Sequence, residues 1–413
     1  MGATESRRDT DFLKLWVGQS VSVFGNQVTL VALPLTAVLV LDAGAAEMGL
    51  LRALEMVPIL LFSLGVGVWI DRVRRRPLIV ASNLGRALLL GLVPALAVAG
   101  LLRIEHLYAI GFTVGTLEVV FVIAYQAYLP SLVQRDRLVD ANSRLEMSNS
   151  AAQIGGPATA GVLVSILTAP IAILLDVASF VVAALAVASI RRPEPEPARR
   201  PRDLAGELRE GFAGLLGHPV LRPVVLATSA GLLGFSMYIS LIVLFHVRAL
   251  GLDSVAIGVV FAVGGAGALT GAALAPRLAR RLGIGPSFIL AFVLASCGLL
   301  VTSQAAGPAV VAATIAATGQ FSALFGASLF NVNGPALRAA VTPAQLLGRV
   351  NATYRFVVWG MFPLGALLGG AVGEAFGLRA PIIAGAVIGL IALIGFLRSP
   401  VSRMREAPRL AEA

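Results

Sequence analysis

The sequence predicts an all-α membrane protein: twelve transmembrane helices in two pseudo-symmetric six-helix bundles. Three observations predict it. Only 13% of the 413 residues are charged and 57% are hydrophobic, whereas a soluble domain carries about 25% charge. Twelve mainly apolar stretches each approach or exceed the roughly 20 residues that a membrane-crossing helix needs. The second half of the chain also repeats the first. Gly67-Val68-Trp69-Ile70-Asp71-Arg72-Val73-Arg74-Arg75-Arg76 returns as Ala272-Ala273-Leu274-Ala275-Pro276-Arg277-Leu278-Ala279-Arg280-Arg281, an offset of 205 (272 less 67). The same offset carries Leu129-Pro130-Ser131-Leu132 onto Gly334-Pro335-Ala336-Leu337. Farther on it becomes 209 (347 less 138), taking Leu138 to Leu347, Asn142 to Asn351, Gly156 to Gly365 and Gly161 to Gly370. Two constant offsets separated by four residues describe a duplicated gene with one loop insertion.

The elements follow in order. A polar cytoplasmic segment, 1–11, precedes an N-terminal bundle, 12–190, with spans at 12–41, 48–70, 77–101, 106–128, 141–168 and 171–190. The first apolar stretch is too long for a signal-peptide core, so no cleavable leader is expected. A linker, 191–218, opens with Pro193, Pro195, Pro197 and Pro201 among charges, which makes a stiff tether. Leu204, Leu208, Phe212 and Leu215 then recur at helical spacing, which predicts an amphipathic helix over 203–216 on the cytoplasmic membrane surface. The C-terminal bundle, 219–398, has spans at 220–246, 254–275, 285–303, 307–331, 347–374 and 379–397, and a cytoplasmic tail, 399–413, closes the chain. Glycine and proline inside these stretches suit membrane helices, where they allow close packing and bending.

Arginine sets the topology. Alternate loops are basic: Arg72, Arg74, Arg75 and Arg76; Arg135 and Arg137; Arg191, Arg192, Arg199, Arg200 and Arg202; Arg277, Arg280 and Arg281; Arg338 and Arg349. The opposite loops are short and hold few cations, such as Arg103, Arg248 and Arg379. Positive loops stay inside, so both termini are expected to be cytoplasmic. The net charge of +10 is therefore a topology signal, and no nucleic-acid partner is expected. The single cysteine, Cys297, excludes an intramolecular disulfide and is expected to fill a packing gap. His106, His218 and His246 are scattered and give no metal spacing, so no metal or cofactor is expected. No phosphate-binding loop or activated-serine motif argues for an enzyme.

Long internal repeats in an apolar chain are a mark of transporters with a midplane site between repeats. The Gly67–Arg76 segment leaves the second span at the cytoplasmic face. Gly67 would let a neighbouring helix come close, Asp71 could accept from another helix's N-terminus, and Arg72, Arg75 and Arg76 could pair with carboxylates or lipid phosphates. The segment resembles the loop signature Gly-x-x-x-Asp-Arg-x-Gly-Arg-Arg of the major facilitator superfamily, with Arg74 in place of a glycine. The resemblance implies a conformational latch between Asp71 and the start of the eleventh span, near Gly348 and Arg349. Tyr125-Gln126-Ala127-Tyr128-Leu129-Pro130-Ser131-Leu132-Val133, Asn142, Gly155-Gly156-Pro157, Gly161, Leu175-Asp176-Val177-Ala178-Ser179-Phe180 and Gly348-Arg349-Val350-Asn351 are similar to the enterobactin-exporter and macrolide-efflux branch. That branch implies export of amphipathic compounds, usually driven by protons. Gly156, Pro157 and Gly161 look like the glycine-proline motif of superfamily antiporters, which shapes the contact between the halves; ordinary helix packing explains them as well.

Ionisable residues at membrane depth are functional candidates because they are costly there. Glu118 falls near the middle of its span among apolar neighbours, where a carboxyl is suited to taking up and releasing a proton. Arg86, with Asn83 one turn earlier, is either its partner or an arginine snorkelling to the cytoplasmic interface. Asp42 and Asp176 fall near outer helix ends and are expected to be interfacial or gating residues. The resemblance places spans one, four, seven and ten around a central cavity. Asn26, Gln27, Tyr238 and Gln320 are then candidate polar groups of that cavity, with Tyr125, Phe235 and Phe321 as an adaptable wall. Arg144, Glu146 and Arg355 fall near cytoplasmic helix ends, as an inner gate of salt bridges would. The expectation is a monomeric proton antiporter of the bacterial inner membrane that exports a small amphipathic molecule by alternating access, with lipids and protons as its other partners. A proton-independent facilitator or importer of a small metabolite is the alternative.

Overall fold

A computed structural model describes residues 2–70, 72–134, 137–192, 194 and 204–406. Asp71, Arg135, most of the proline-rich linker and 407–413 lie outside the described residues. The chain forms helices α1 (Gly2–Leu39), α2 (Ala45–Ile70), α3 (Arg75–Val98), α4 (Ile104–Leu132), α5 (Leu138–Leu167), α6 (Ala169–Ala188), α7 (Leu204–Leu216), α8 (Leu221–Leu244), α9 (Ser254–Leu282), α10 (Ile284–Ser303), α11 (Ala309–Val341), α12 (Ala344–Trp359), α13 (Met361–Phe376) and α14 (Ala380–Leu397). Eleven described segments are long and apolar enough to cross a membrane, with α12 and α13 counted as one. The twelfth is α2, whose 26 residues span about 39 Å at 1.5 Å per residue. Helices dominate because a chain crossing hydrocarbon must satisfy every backbone N–H and C=O within itself.

The duplication is visible in the elements. Starts at 45, 75, 104, 138 and 169 are matched by starts at 254, 284, 309, 344 and 380. Packing partners match too. In the first half α1 packs on α5 and α6, and α3 on α4 and α6; in the second, α8 packs on α13 and α14, and α10 on α11 and α14. The chain divides into two compact units: 1–43 with 54–202 and 253–258, and 44–53 with 203–252 and 259–413. The first turns of α2 and α9 thus belong to the unit built mainly by the other half of the sequence. Small residues seat them there. Gly258 of α9 lies against Gly161 of α5 in one unit, and Gly49 of α2 against Gly370 of α13 in the other. A Cβ built on Gly161 would stand 3.1 Å from the Gly258 Cα, and one on Gly370 would stand 3.1 Å from the Gly49 Cα.

Four details differ from expectation. The eleventh span is broken at Gly360 into α12 and α13. α7 packs against α12 rather than presenting its whole apolar face to lipid. Gly211 abuts the Arg349 backbone and Thr353, the Phe212 and Phe356 rings are 6.5 Å apart, and Leu215 is buried in the core of its unit. The side chains of Leu204 and Leu208 lie outside the described residues. Arg338 is not a loop cation: it is buried within α11, 3.7 Å above the Tyr354 ring, and donates through Nε to Asn351 Oδ1 at 3.0 Å. Cys297 is exposed on the surface of α10 instead of packed inside.

Candidate functional site

Three charged side chains meet inside the first unit. Arg86 stands at the middle of α3 and Glu118 at the middle of α4, and their side chains form an ion pair. Arg86 is 1% exposed, so it does not snorkel to the interface; the Glu118 side chain is 40% exposed. The guanidinium is sandwiched between the rings of Phe121 and Phe180, 4.3 Å from each centroid, and its Nη2 donates to Asn83 Oδ1 at 2.5 Å. Its Nε is buried without a hydrogen-bond partner. A delocalised, weakly hydrated guanidinium tolerates this aromatic slot better than an ammonium would.

Asp176 is the third member, and sequence reasoning misplaced it. It is not at an interface: α6 buries it completely. Oδ2 accepts from Thr29 Oγ1 of α1 at 2.5 Å, and Oδ1 lies 2.9 Å from Ser179 Oγ. Arg86 and Glu118 both act electrostatically on it. Gly25 makes this geometry possible. A Cβ there would overlap the Ser179 side chain and Asp176 Oδ1, so a larger residue would push α1 off α6. The signal available in the sequence was Asp176 itself, an acid inside an apolar span.

The MFS_3 family model, described as transmembrane secretion effector, matches residues 4–412. The chain belongs to this family of major facilitator transporters. An uncharacterized MFS-type transporter, YfiS of Bacillus subtilis (strain 168), is 25% identical over 411 residues, 94% of each chain. Solved structures share the fold. The nucleoside transporter NupG matches at a TM-score of 0.79 with 11% identity, over 94% of this chain and 99% of that one. A bacterial homologue of the iron transporter ferroportin matches at 0.74 with 18% identity, over 95% and 98%. A bacterial homologue of the lysosomal transporter Spinster matches at 0.69 with 15% identity, over 96% and 97%.

In this major facilitator protein the remaining candidates separate into three groups. Tyr238 and Gln320 are each 1% exposed and satisfy one another, Tyr238 Oη donating to Gln320 Oε1 at 2.7 Å. They join α8 to α11 rather than line an open cavity. Phe235 lies 5.9 Å from the Tyr238 ring, and Phe321 stacks on Phe325 at 6.2 Å. In the first unit Asn26 and Gln27 are half-buried on α1; Gln27 packs into the space left by Gly156, beside Pro157 on α5. Tyr125 stacks on Phe121 at 5.6 Å with its hydroxyl unpartnered, one ring away from Arg86.

The latch segment is only partly described, because Asp71 lies outside the described residues. No described atom comes within 4 Å of a Cβ built on Gly67. Arg72 is exposed in the turn after α2. Arg75 and Arg76 are both engaged. Their backbone N–H groups donate to Glu194 of the linker at 2.6 and 3.2 Å, a carboxylate on the N-terminus of α3. Arg76 Nε donates to Val187 O at 3.2 Å and its Nη2 to Ala188 O, tying the C-terminal carbonyls of α6. Arg349, at the start of the eleventh span, pairs with Glu210 of α7. Of the gate candidates, Arg144 pairs with Asp140 at 3.3 Å one turn away, while Glu146 and Arg355 are exposed.

Proposed function

We propose that this transporter exports a small amphipathic compound in exchange for protons, by alternating access, across a bacterial inner membrane with both termini cytoplasmic. The observation that carries the reading is the Arg86–Glu118 pair at the middle of two membrane-spanning helices. Charge at that depth is expensive and persists where it does work. Protonating a carboxylate that acts on Arg86 changes how strongly each helix holds Arg86, and that is a difference in free energy between conformations. The secretion-effector description of the matching family supports the outward direction. The resemblance to the enterobactin-exporter and macrolide-efflux branch supports the substrate class.

The test is efflux of a fluorescent amphipathic dye from proteoliposomes under an imposed pH gradient. Wild type is expected to move dye only with the gradient. Glu118→Gln is expected to lose gradient-driven efflux while retaining dye binding. Equal transport with and without the gradient would replace antiport with facilitated diffusion.

A further inference from the structure

Asp176 has no role in the pair described above, yet it is more deeply buried than Glu118 and shares the same arginine. We propose that Asp176 carries the exchangeable proton of this cluster, with Glu118 ionised against Arg86 throughout the protonated state. The proposal rests on the proton-antiport reading and deepens it.

Three oxygen–oxygen contacts surround the side chain: Thr29 Oγ1 to Oδ2 at 2.5 Å, Ser179 Oγ to Oδ1 at 2.9 Å, and Ser179 Oγ to the Asp176 main-chain carbonyl at 2.8 Å. Thr29 and Ser179 own one hydroxyl hydrogen apiece. With Asp176 ionised, the single Ser179 hydrogen is shared between Oδ1 and the main-chain carbonyl. With Asp176 neutral, Ser179 gives that hydrogen wholly to the carbonyl and the carboxyl donates to Ser179 Oγ, so each contact has a hydrogen of its own. The neutral form is the better bonded of the two.

Charge balance gives the same answer. The charged groups that act on Asp176 are Arg86 from α3 and Glu118 from α4; α1 presents Thr29 and Gly25, and α6 presents Ser179. One guanidinium and two carboxylates sum to −1 if all are ionised. Glu118 holds Arg86 by direct contact and is the less buried of the two acids, with 40% of its side chain exposed, so it keeps its charge more cheaply than Asp176. Asp176 is the fully buried acid, and a proton on it makes the cluster neutral, as a low-dielectric site requires. On release the O–H bond breaks, its electron pair stays on the carboxylate and the proton passes to water. The Arg86 Nε–H, buried and unpartnered, then has an acceptor within electrostatic reach. Protonation of Asp176 thereby decides whether Arg86 is held by α4 alone or shared with α6.

Infrared spectroscopy of the purified full chain in liposomes at neutral pH tests this without any transport. The C=O stretch of a protonated carboxyl is expected in wild type, absent in Asp176→Asn and retained in Glu118→Gln. Thr29→Val, which preserves the carboxyl and removes one donor, is expected to shift that band and guards against a misfolded Asp176→Asn. The assignment is overturned if wild type lacks the band, if Glu118→Gln removes it, or if Thr29→Val leaves it unmoved. Gradient-driven efflux is read separately. Lost antiport with the band on Asp176 removes the transport reading alone, and intact antiport with the band on Glu118 removes the proton assignment alone.

Discussion

The crossing of α1 with α6 and the crossing of α8 with α14 descend from one ancestral contact, and they are filled in opposite ways. The glycine contacts align the two crossings: Gly25 meets Asp176 in the first and Gly234 meets Gly385 in the second, which also sets Thr29 against Tyr238. Both crossings keep the glycine on the first helix of the half. In the second half Gly234 faces a bare backbone, and a Cβ on it would stand 3.1 Å from the Gly385 Cα. In the first half Gly25 faces a buried carboxyl. The arginine and glutamate have no counterparts either: with the helices aligned on their starts, 75 with 284 and 104 with 309, Arg86 falls on Ala295 and Glu118 on Ala323. Duplication preserved helix packing, which any folded half needs, while Arg86, Glu118 and Asp176 stand together in the first half alone. Under the proposed antiport, one protonation event then acts on one bundle only.

The largest expected break of this asymmetry is Arg86→Ala. It strips the cation from Glu118 and empties the slot between Phe121 and Phe180. Removing one partner of a fully buried pair costs about 3–5 kcal/mol; with the Glu118 side chain only partly buried, about 3 kcal/mol is expected. Thermal unfolding in detergent should show the loss at neutral pH. Part of it should return in the double variant with Glu118→Gln, because the carboxylate left without its cation is then gone. Ala295→Met, at the matching place in the second half, should leave stability nearly unchanged by comparison. Equal losses at both sites would mean that packing, not charge, accounts for Arg86.

How far the sequence reveals this arrangement depends on the kind of signal. Apolar length and the repeat locate the spans within a few residues, because hydrocarbon thickness and gene duplication both leave long-range marks. Arg86 and Glu118 stand out for the same reason: charge amid apolar residues is conspicuous. Asp176 is equally conspicuous but is misplaced, since position along a helix says little about what a neighbouring helix covers. Gly25 decides that, and a glycine's role is visible only once its opposite number is known. Tyr238 and Gln320 fail as cavity residues for a related reason. In helices apolar on every face, periodicity does not show which side turns inward. The break at Gly360 does have a sequence marker: Pro363 has no N–H for the carbonyl of Trp359, four residues back, where α12 ends.

The next effect separates the two crossings by what can move. Gly234→Ala pushes a methyl into the Gly385 backbone, which cannot step aside without parting α8 from α14. Gly25→Ala pushes a methyl into the side chains of Ser179 and Asp176. Overpacking costs about 1–3 kcal/mol, and the backbone clash should lie at the upper end. A double-mutant cycle sharpens the contrast. Asp176→Ala should recover most of the Gly25→Ala loss, whereas no side chain exists at Gly385 to remove. Failure of that rescue would show that α1 and α6 are held apart by something other than the carboxyl.

The smallest effect concerns the turns that follow α5 and α13. Thr168 and Gly377 are matched at 209, and both adopt left-handed backbone, with φ of 78° and 84°. Glycine does this freely, but a β-branched threonine carries a steric penalty of about 1–3 kcal/mol. Part of that is offset because glycine also raises the entropy of the unfolded chain. Thr168→Gly should therefore stabilise the first unit by about 1 kcal/mol, and Gly377→Thr should destabilise the second by a similar amount. Paired melting curves of the two variants check both signs at once. If Thr168→Gly lowers stability, the threonine is making a compensating contact at that turn, and the two halves differ there in bonding rather than in strain.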